Sequence, residues 1–157
     1  MPNQSFSSRG GWWVVGQFAL LLLMMFVPDL LPVWPAGFID VSRPVGASSV
    51  FLSIIIVLFG VFHLGEGATP FPHPLEKAPL VRDGIYRRVR HPIYLGAFFF
   101  AFGVAFWRMN LTAVVLGGVL VVFMNAKANR EEAWLVEKFP EYIAYRKKSK
   151  KFIPFLF

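Results

Sequence analysis

Four continuous runs of apolar residues, separated by polar segments, divide the chain. They cover residues 12–27, 45–65, 93–107 and 111–126. A strand of a membrane barrel would alternate polar and apolar side chains, so unbroken runs favour helices. Backbone polar groups in lipid must be satisfied within helices or closed barrels. The pattern therefore predicts an all-α integral membrane protein with about four transmembrane helices.

Prolines and polar turns predict where these helices begin and end. Residues 35–44 are expected to form a short loop before the second span. Pro92 suits the first turn of the third helix, where its missing N–H costs nothing. Because residues 127–139 contain neither Pro nor Gly, the fourth helix is predicted to run from Leu111 to Phe139, continuing beyond the membrane. The proline-rich connection, residues 67–90, is predicted to be an extended lid.

Composition agrees with a membrane protein of one domain, residues 1–157. Apolar residues make up 56% of the chain and its mean hydropathy is +0.56. A soluble domain of this size could not bury so much apolar surface. The absence of cysteine excludes disulfides, thiolate metal sites and a cysteine nucleophile.

The net charge of +7 predicts an orientation in the membrane. With four spans, all but two of the 16 Lys and Arg residues lie on the side that holds both termini and the lid. By the positive-inside rule this side is cytoplasmic, and its cations favour anionic lipid headgroups over nucleic acid as partners. Residues 141–151 are basic and aromatic and residues 152–157 are apolar, which predicts a segment lying on the membrane surface.

The stretch Asp83–Gly96 gathers hydrogen-bond donors and aromatic rings at the edge of the third span. A turn at Gly84 is followed by Tyr86, Arg90, His91 and Tyr94. Arginines that reach towards headgroups and an aromatic belt would give the same pattern. The residues alone leave a membrane anchor and a ligand site equally open.

A second candidate lies on the fourth helix. Lys127 and Glu131 are four residues apart and share a helix face, with Glu132 beside them. The pair is either a solvated ion pair or a carboxylate and a cation that meet a ligand. His63, Glu66 and His73 lack the fixed spacing of a metal site, so no metal is predicted. Nucleotide-binding, zinc-protease and serine-hydrolase motifs are absent from the sequence.

Two separated motifs stand in order between Thr69 and Pro154. The first reads Leu80-Val81-x-x-Gly84-x-Tyr86-x-x-x-Arg90-His91-Pro92-x-Tyr94-x-Gly96, and after a helical hairpin the second reads Glu131-Glu132-x-x-Leu135-x-x-x-Phe139-x-x-Tyr142-x-x-Tyr145. Together they resemble the isoprenylcysteine carboxyl methyltransferase family and, more distantly, phospholipid methyltransferases. They are specific for this superfamily and not for one substrate.

The resemblance implies a membrane enzyme that uses S-adenosylmethionine and releases S-adenosylhomocysteine at the cytoplasmic face. Residues 1–66 would then be a two-helix membrane anchor and residues 67–157 the cofactor-binding catalytic part. Carried over by position, the cofactor contacts are Leu80, Val81, Tyr86, His91, Pro92, Ile93, Tyr94 and Glu131.

The resemblance also implies catalytic candidates, which are Lys127, Glu132 and Arg90. Lys127 stands where the family has an arginine for the substrate carboxylate, and a lysine keeps the charge but loses the bidentate fork. Pro140 replaces the usual glycine after Phe139. A carboxylate acceptor needs a cation to orient it, whereas an amine acceptor needs a base, which Glu132 or His91 could be.

The leading hypothesis is methyl transfer to a lipophilic small molecule or lipid, with carboxylate O-methylation of the isoprenylcysteine type ahead of N-methylation of a lipid amine. One alternative is an NADPH-dependent reductase of the sterol-reductase type, whose membrane hairpin resembles this one. Another is a non-enzymatic scaffold whose basic loops bind anionic lipid.

Overall fold

Helices form nearly all of the regular structure in the computed structural model, which describes residues 5–31 and 34–154. Within these ranges there are five α-helices, together with short 3₁₀ turns at Ala36–Phe38, Gly65–Gly67 and Gly84–Arg87. The helices are α1 (Gly11–Phe26), α2 (Ile39–Leu64), α3 (Pro92–Arg108), α4 (Leu111–Lys138) and α5 (Tyr142–Lys148).

The hairpin of α3 and α4 follows the sequence prediction to within one residue at each end. Pro92 occupies the first turn of α3. Met109, in the left-handed conformation with φ 52°, ends that helix. Asn110 then caps α4, since its side-chain oxygen accepts from the Thr112 backbone N–H at 2.6 Å. The long fourth helix is therefore confirmed.

The start of the second helix was predicted wrongly. The expected loop over residues 35–44 is helical from Ile39 onwards, so α2 contains Pro44. Pro44 is the sixth residue of α2, where it lacks the N–H that would bind the Asp40 carbonyl and its ring crowds that carbonyl, so the helix has to absorb this cost. Asp40 in the first turn offsets part of that cost, because a carboxylate is favourable at a helix N-terminus.

Two helical stretches are long and apolar enough to cross a membrane. They are α4 and the stretch Ala36–Gly67, which contains α2. Helices α1 and α3, with 16 and 17 residues, are apolar but shorter. Large apolar side chains such as Phe26, Phe62 and Val122 are more than two-thirds exposed. Outward-facing apolar surface of this extent is what lipid would cover.

Helices α2 and α3 pack closely because small residues line their contact. A Cβ atom on Gly46 would lie 2.6 Å from the Trp107 backbone nitrogen, and one on Gly103 would lie 2.8 Å from the Gly46 carbonyl oxygen. Ser49 donates to the Phe99 carbonyl at 2.7 Å. Close backbone approach through small residues is typical of helix pairs in membranes. This contact fixes the N-terminus of α3 beside the end of α2.

The C-terminal end of α3 is closed by a group of side chains that we call the Arg108 network: Arg108, Asp29, Asn110 and Thr112. Arg108 donates to the Met24 carbonyl at 2.8 Å, to the Val27 carbonyl at 2.6 Å and to Asp29 Oδ1 at 2.8 Å. The Asn110 amide donates to the same Asp29 oxygen. The guanidinium thus satisfies carbonyls at the C-terminus of α1 that have no partner within that helix.

After α5 the chain returns to the other end of α3 as a segment that we call the strap, residues 149–152. The Arg90 N–H donates to the Lys150 carbonyl at 2.8 Å, and the His91 N–H donates to the Lys151 carbonyl at 3.1 Å. Tyr142 and Phe152 are almost fully buried. The prediction that this region simply lies on the surface is therefore wrong for its aromatic residues. Residues 155–157 of the predicted apolar tail lie outside the described residues.

Candidate active site

The backbone before α3 turns sharply at Gly84, where φ is +55°. A side chain at this position would overlap the ring of His63, so the turn and the close approach both require glycine. The 3₁₀ turn that follows buries Tyr86, whose hydroxyl donates to the Gly60 carbonyl at 3.3 Å. The first motif is thereby anchored to the end of α2.

Glu132 is the centre of a buried charge cluster. It accepts from Arg90 Nε at 2.8 Å and from His91 Nε2 at 3.1 Å, and Arg146 Nε lies 3.4 Å away. The side chains of Arg90 and Glu132 are only 8% and 5% exposed. Arg90 also donates to the Ser149 carbonyl at 2.5 Å, which connects the cluster to the strap. Arginine and histidine on one motif and a carboxylate on the other therefore hold the two motifs together.

Glu131, the neighbouring carboxylate, is placed differently. It accepts from the Tyr94 hydroxyl at 2.6 Å, and the Tyr94 ring stacks on His91 with centroids 5.1 Å apart. Its side chain is 28% exposed, against 5% for Glu132. A carboxylate has about four lone-pair positions, so Glu131 keeps acceptor capacity for a ligand.

Two buried tyrosines of α5 pack against the charge cluster. Tyr145 donates to the Tyr86 carbonyl at 2.5 Å, and burial raises the pKa of Tyr145 to about 12. Burial also raises the pKa of Tyr142 well above its usual value. Both phenol groups therefore stay neutral at physiological pH.

A cavity of about 90 Å³ lies between the lid and α4. It brings together five of the predicted site residues, which are Leu80, Val81, Tyr86, Arg90 and Glu131. The lid residues above it are fixed to α4, since Lys138 Nζ donates to the carbonyls of Leu75 and Ala78. The proline-rich connection is thus an extended segment over a cavity, as its composition predicts.

The other predicted residues lie around this cavity at different depths. His91 and Tyr94 lie behind Glu131, and Glu132 lies behind Arg90. Pro92 is buried at the start of α3, and Ile93 lines a different cavity.

That second cavity is an apolar groove of about 620 Å³ between α1, α2 and α3. Apolar side chains such as Leu21, Val57 and Phe100 line most of its length. Thr69 lines both this groove and the smaller cavity, so the two spaces meet at the start of the lid.

Lys127 lies behind two residues that line the groove, Gln17 and Pro70, and is only 2% exposed. Its Nζ donates to Gln17 Oε1 at 2.6 Å and to the Pro70 carbonyl at 3.1 Å, and it lies 5.3 Å from the centre of the Tyr94 ring. Lys127 and Glu131 share a face of α4 as predicted, but their hydrogen bonds run to different partners.

The sequence analysis missed two functional candidates. Gln17 interrupts an apolar helix, and a polar residue within such a helix is by default a candidate for function. Lys151 is hidden in a run of cations, yet it is buried and donates to Asn125 Oδ1 at 2.5 Å and Asn129 Oδ1 at 2.6 Å. These bonds attach the strap to α4. The buried state of Lys151 could not be read from a basic stretch.

The histidines outside the cluster have local partners. His63 Nδ1 donates to the Phe59 carbonyl at 2.8 Å, and the His73 ring packs on Trp134 with centroids 5.1 Å apart. Among residues 5–31 and 34–154, no three His, Asp or Glu side chains are grouped so that they could hold a metal ion.

Fold and site together define a class of membrane protein built on a tight helical hairpin with a cavity at one end. The chain belongs to the phospholipid methyltransferase family, whose model matches residues 41–142.

Two curated relatives match about half of the chain. Both are named protein-S-isoprenylcysteine O-methyltransferase, from Schizosaccharomyces pombe at 42% identity and from Saccharomyces cerevisiae at 40%, each over 79 residues. The match covers 49% of this chain but 34% and 33% of those relatives. This chain therefore matches about a third of the length of either relative. The resemblance predicted from the two motifs is confirmed.

A solved structure shares the fold. It is described as the eukaryotic intramembrane Ras methyltransferase, isoprenylcysteine carboxyl methyltransferase, and it matches with a TM-score of 0.69 at 20% identity. The alignment covers 97% of this chain and 54% of that one. Together with the apolar helices, this likeness supports an integral membrane protein.

Proposed function

We propose that the protein is an S-adenosylmethionine-dependent methyltransferase that esterifies the carboxylate of a lipophilic acceptor of the isoprenylcysteine type. The observation that carries this proposal is the junction at Thr69. A cavity with a carboxylate, Glu131, meets there an apolar groove, and two residues that line the groove, Gln17 and Pro70, bind a buried cation, Lys127. Donor and acceptor would approach each other from these two sides.

The cavity residues fit the proposed cofactor. The partly exposed Glu131 carboxylate can accept from ribose hydroxyls, and the apolar side chains of Leu80, Val81 and Leu135 offer a surface for a base. Ligand pockets usually enclose about 300–1,000 Å³. Because the cavity measures about 90 Å³, the lid has to move outwards to admit the cofactor.

S-Adenosylmethionine supplies a methyl group on a sulfonium, which a nucleophile displaces in line, so positioning supplies much of the catalysis. An ionised carboxylate is itself the nucleophile and needs no base. Lys127 would orient this carboxylate by its charge. A lysine makes a single contact, whereas an arginine at the same position could bind both carboxylate oxygens. Glu132 already accepts from Arg90 and His91, which favours a positioning role for all three. Tyr94 would hold Glu131 in place.

The chain would cross the membrane several times, with both termini and the site on the cytoplasmic side. The distribution of Lys and Arg supports this orientation. The groove faces the lipid, so an acceptor with a prenyl chain could enter sideways without crossing water. Anionic headgroups would attract the basic surface around the site.

Calorimetric titration of the purified protein in nanodiscs with S-adenosylhomocysteine tests the cofactor half of the proposal. We expect saturable binding at one site, and no binding in nanodiscs or in several detergents would overturn it. Transfer of a labelled methyl group to an S-prenylated cysteine tests the acceptor half. Base-labile label on the prenylated compound indicates an ester. Label on phosphatidylethanolamine instead would indicate N-methylation of a lipid amine.

A further inference from the structure

Helix α1 lies outside the region that the family model matches, yet it reaches the proposed site. Its sequence is apolar apart from Gln17 and the indole nitrogens. Gln17 lines the groove, and its side-chain oxygen lies 2.6 Å from Lys127 Nζ. A residue of the anchor part therefore contacts the cation that is proposed to orient the acceptor.

The partners of Lys127 are unusual for a buried cation. Arg90, which is also buried, has Glu132 as a charged partner at 2.8 Å. The hydrogen-bond partners of Lys127 among the described residues are an amide and a carbonyl, and both are neutral. Glu131, one helical turn away on α4, acts on Lys127 by charge and not through a hydrogen bond. A buried charge is costly unless an opposite charge compensates it, and a hydrogen-bonded anion does so best. The position of the Gln17 oxygen, in the wall of the groove, is therefore a favourable place for an incoming anion.

Gln17 can exchange its role when such an anion arrives. A glutamine side chain offers an acceptor oxygen and two N–H donors on one rotatable group. In this structure the Gln17 side-chain oxygen accepts from Lys127 Nζ. If a carboxylate of the acceptor takes the place of this oxygen, the rotated Gln17 amide can donate its N–H groups to that carboxylate. Ser53, buried at 4% exposure, also lines the groove.

We propose that Gln17 is a specificity-determining residue that selects acceptors with a carboxylate head. It holds Lys127 while the groove is empty of acceptor, then yields the cation to the carboxylate and donates to it. This inference rests on the proposed function for the identity of the acceptor. It adds a residue from α1, which the two sequence motifs do not include.

The test compares two ligands on variants reconstituted in nanodiscs with saturating S-adenosylhomocysteine. The ligands are S-farnesyl-N-acetylcysteine and its carboxamide, which has the same tail and no charge. In Gln17→Glu the new carboxylate forms a permanent ion pair with Lys127 and competes with the acid. We therefore expect the affinity for the acid to fall at least tenfold and the affinity for the carboxamide to change less than twofold. Gln17→Met, the uncharged control of similar volume, should weaken the acid about threefold.

Binding of both ligands to Gln17→Glu as tightly as to the wild type would overturn the proposal. Equal weakening of both ligands, or a loss of S-adenosylhomocysteine binding, would also overturn it by indicating a merely structural role. If Gln17→Glu does not fold, the acid-to-carboxamide ratio of Gln17→Met decides by itself. These titrations need no turnover, so their outcome is separate from a failure of the methyl-transfer assay.

Discussion

Helix α3 has an arginine-centred network at each end, and the two networks differ in their partners and in their surroundings. At its C-terminus, Arg108 donates to carbonyls of the adjoining end of α1 and to Asp29. At its N-terminus, Arg90 binds a carboxylate of α4 and a carbonyl of the strap. Both guanidiniums join separate segments of the chain. Among the described residues, the N-terminal network differs from the other in lying beside a cavity that a second carboxylate, Glu131, also lines.

The two networks differ in how fully their hydrogen-bonding groups are used. In the Arg108 network the donors and acceptors satisfy one another, and Asp29 accepts from both Arg108 and Asn110. At the other end, Glu131 keeps unused acceptor capacity, and Lys127 donates its hydrogen bonds to two neutral oxygens. Surplus hydrogen-bonding capacity beside a cavity is what a ligand can use.

The largest expected effect comes from breaking the buried cluster at the N-terminal end. Glu132→Gln leaves Arg90 without its charged partner, and loss of one member of a buried pair costs about 3–5 kcal/mol. We expect a fall of that size in the free energy of unfolding, measured by reversible denaturation in micelles. Glu137→Gln, on the exposed side of α4, is the matched control and should change stability by less than about 0.5 kcal/mol. A small effect for Glu132→Gln would mean that the strap holds without the cluster.

Arg108→Met tests the other end and should separate stability from binding. It removes hydrogen bonds to four carbonyl or carboxylate partners, but the side chain is 21% exposed, so we expect a loss of about 2 kcal/mol. Calorimetry at a temperature well below the unfolding midpoint of the variant should give an affinity for S-adenosylhomocysteine within twofold of the wild-type value. A tenfold loss of affinity would contradict the division of labour between the two ends.

Glu131→Gln should show the reverse pattern. It removes a partly exposed carboxylate whose hydrogen bond to Tyr94 an amide oxygen can replace, so stability should change by less than about 1 kcal/mol. The affinity for S-adenosylhomocysteine should fall at least tenfold, about 1.4 kcal/mol. Glu137→Gln again serves as control. Unchanged affinity would remove Glu131 from the proposed cofactor site.

The smallest expected effect is on the pH dependence of stability, and it should arise from the network at the N-terminal end of α3. The pKa of Tyr145 is raised to about 12 in the fold, so the stability from its neutral form is present below about pH 10 and is lost as pH rises towards 12. Tyr145→Phe should cost about 1 kcal/mol at neutral pH and weaken the decline between pH 10 and 12. Arg108→Met should retain that decline. The same slope in Tyr145→Phe would assign it to other groups.

Residues with strong local preferences made the hairpin predictable. Pro92 and Asn110 set the starts of α3 and α4, and the stretch without Pro or Gly showed that α4 continues to Lys138. The motifs likewise led to Arg90 and Glu131, which line one cavity. These features depend on neighbouring residues or on fixed spacing, which a sequence displays directly.

Features that depend on distant parts of the chain could not be predicted. Pro44 suggested a loop because local propensity does not reveal that the second helix tolerates a proline near its start. The basic stretch around Lys151 suggested a surface segment, since burial against Asn125 and Asn129 exists only after folding. Gln17 meets Lys127 across 110 positions of sequence.

The strap sets an order of events during biosynthesis. Arg90 and His91 receive their backbone partners from Lys150 and Lys151, which a ribosome adds long after α3 has been made. Helix α3 can insert and pack against α2 through Gly46 and Gly103 before that time, because that contact needs no later residue. The nascent protein would therefore settle in the bilayer as a helical scaffold. The proposed site would be completed only when residues 149–152 have left the ribosome and docked.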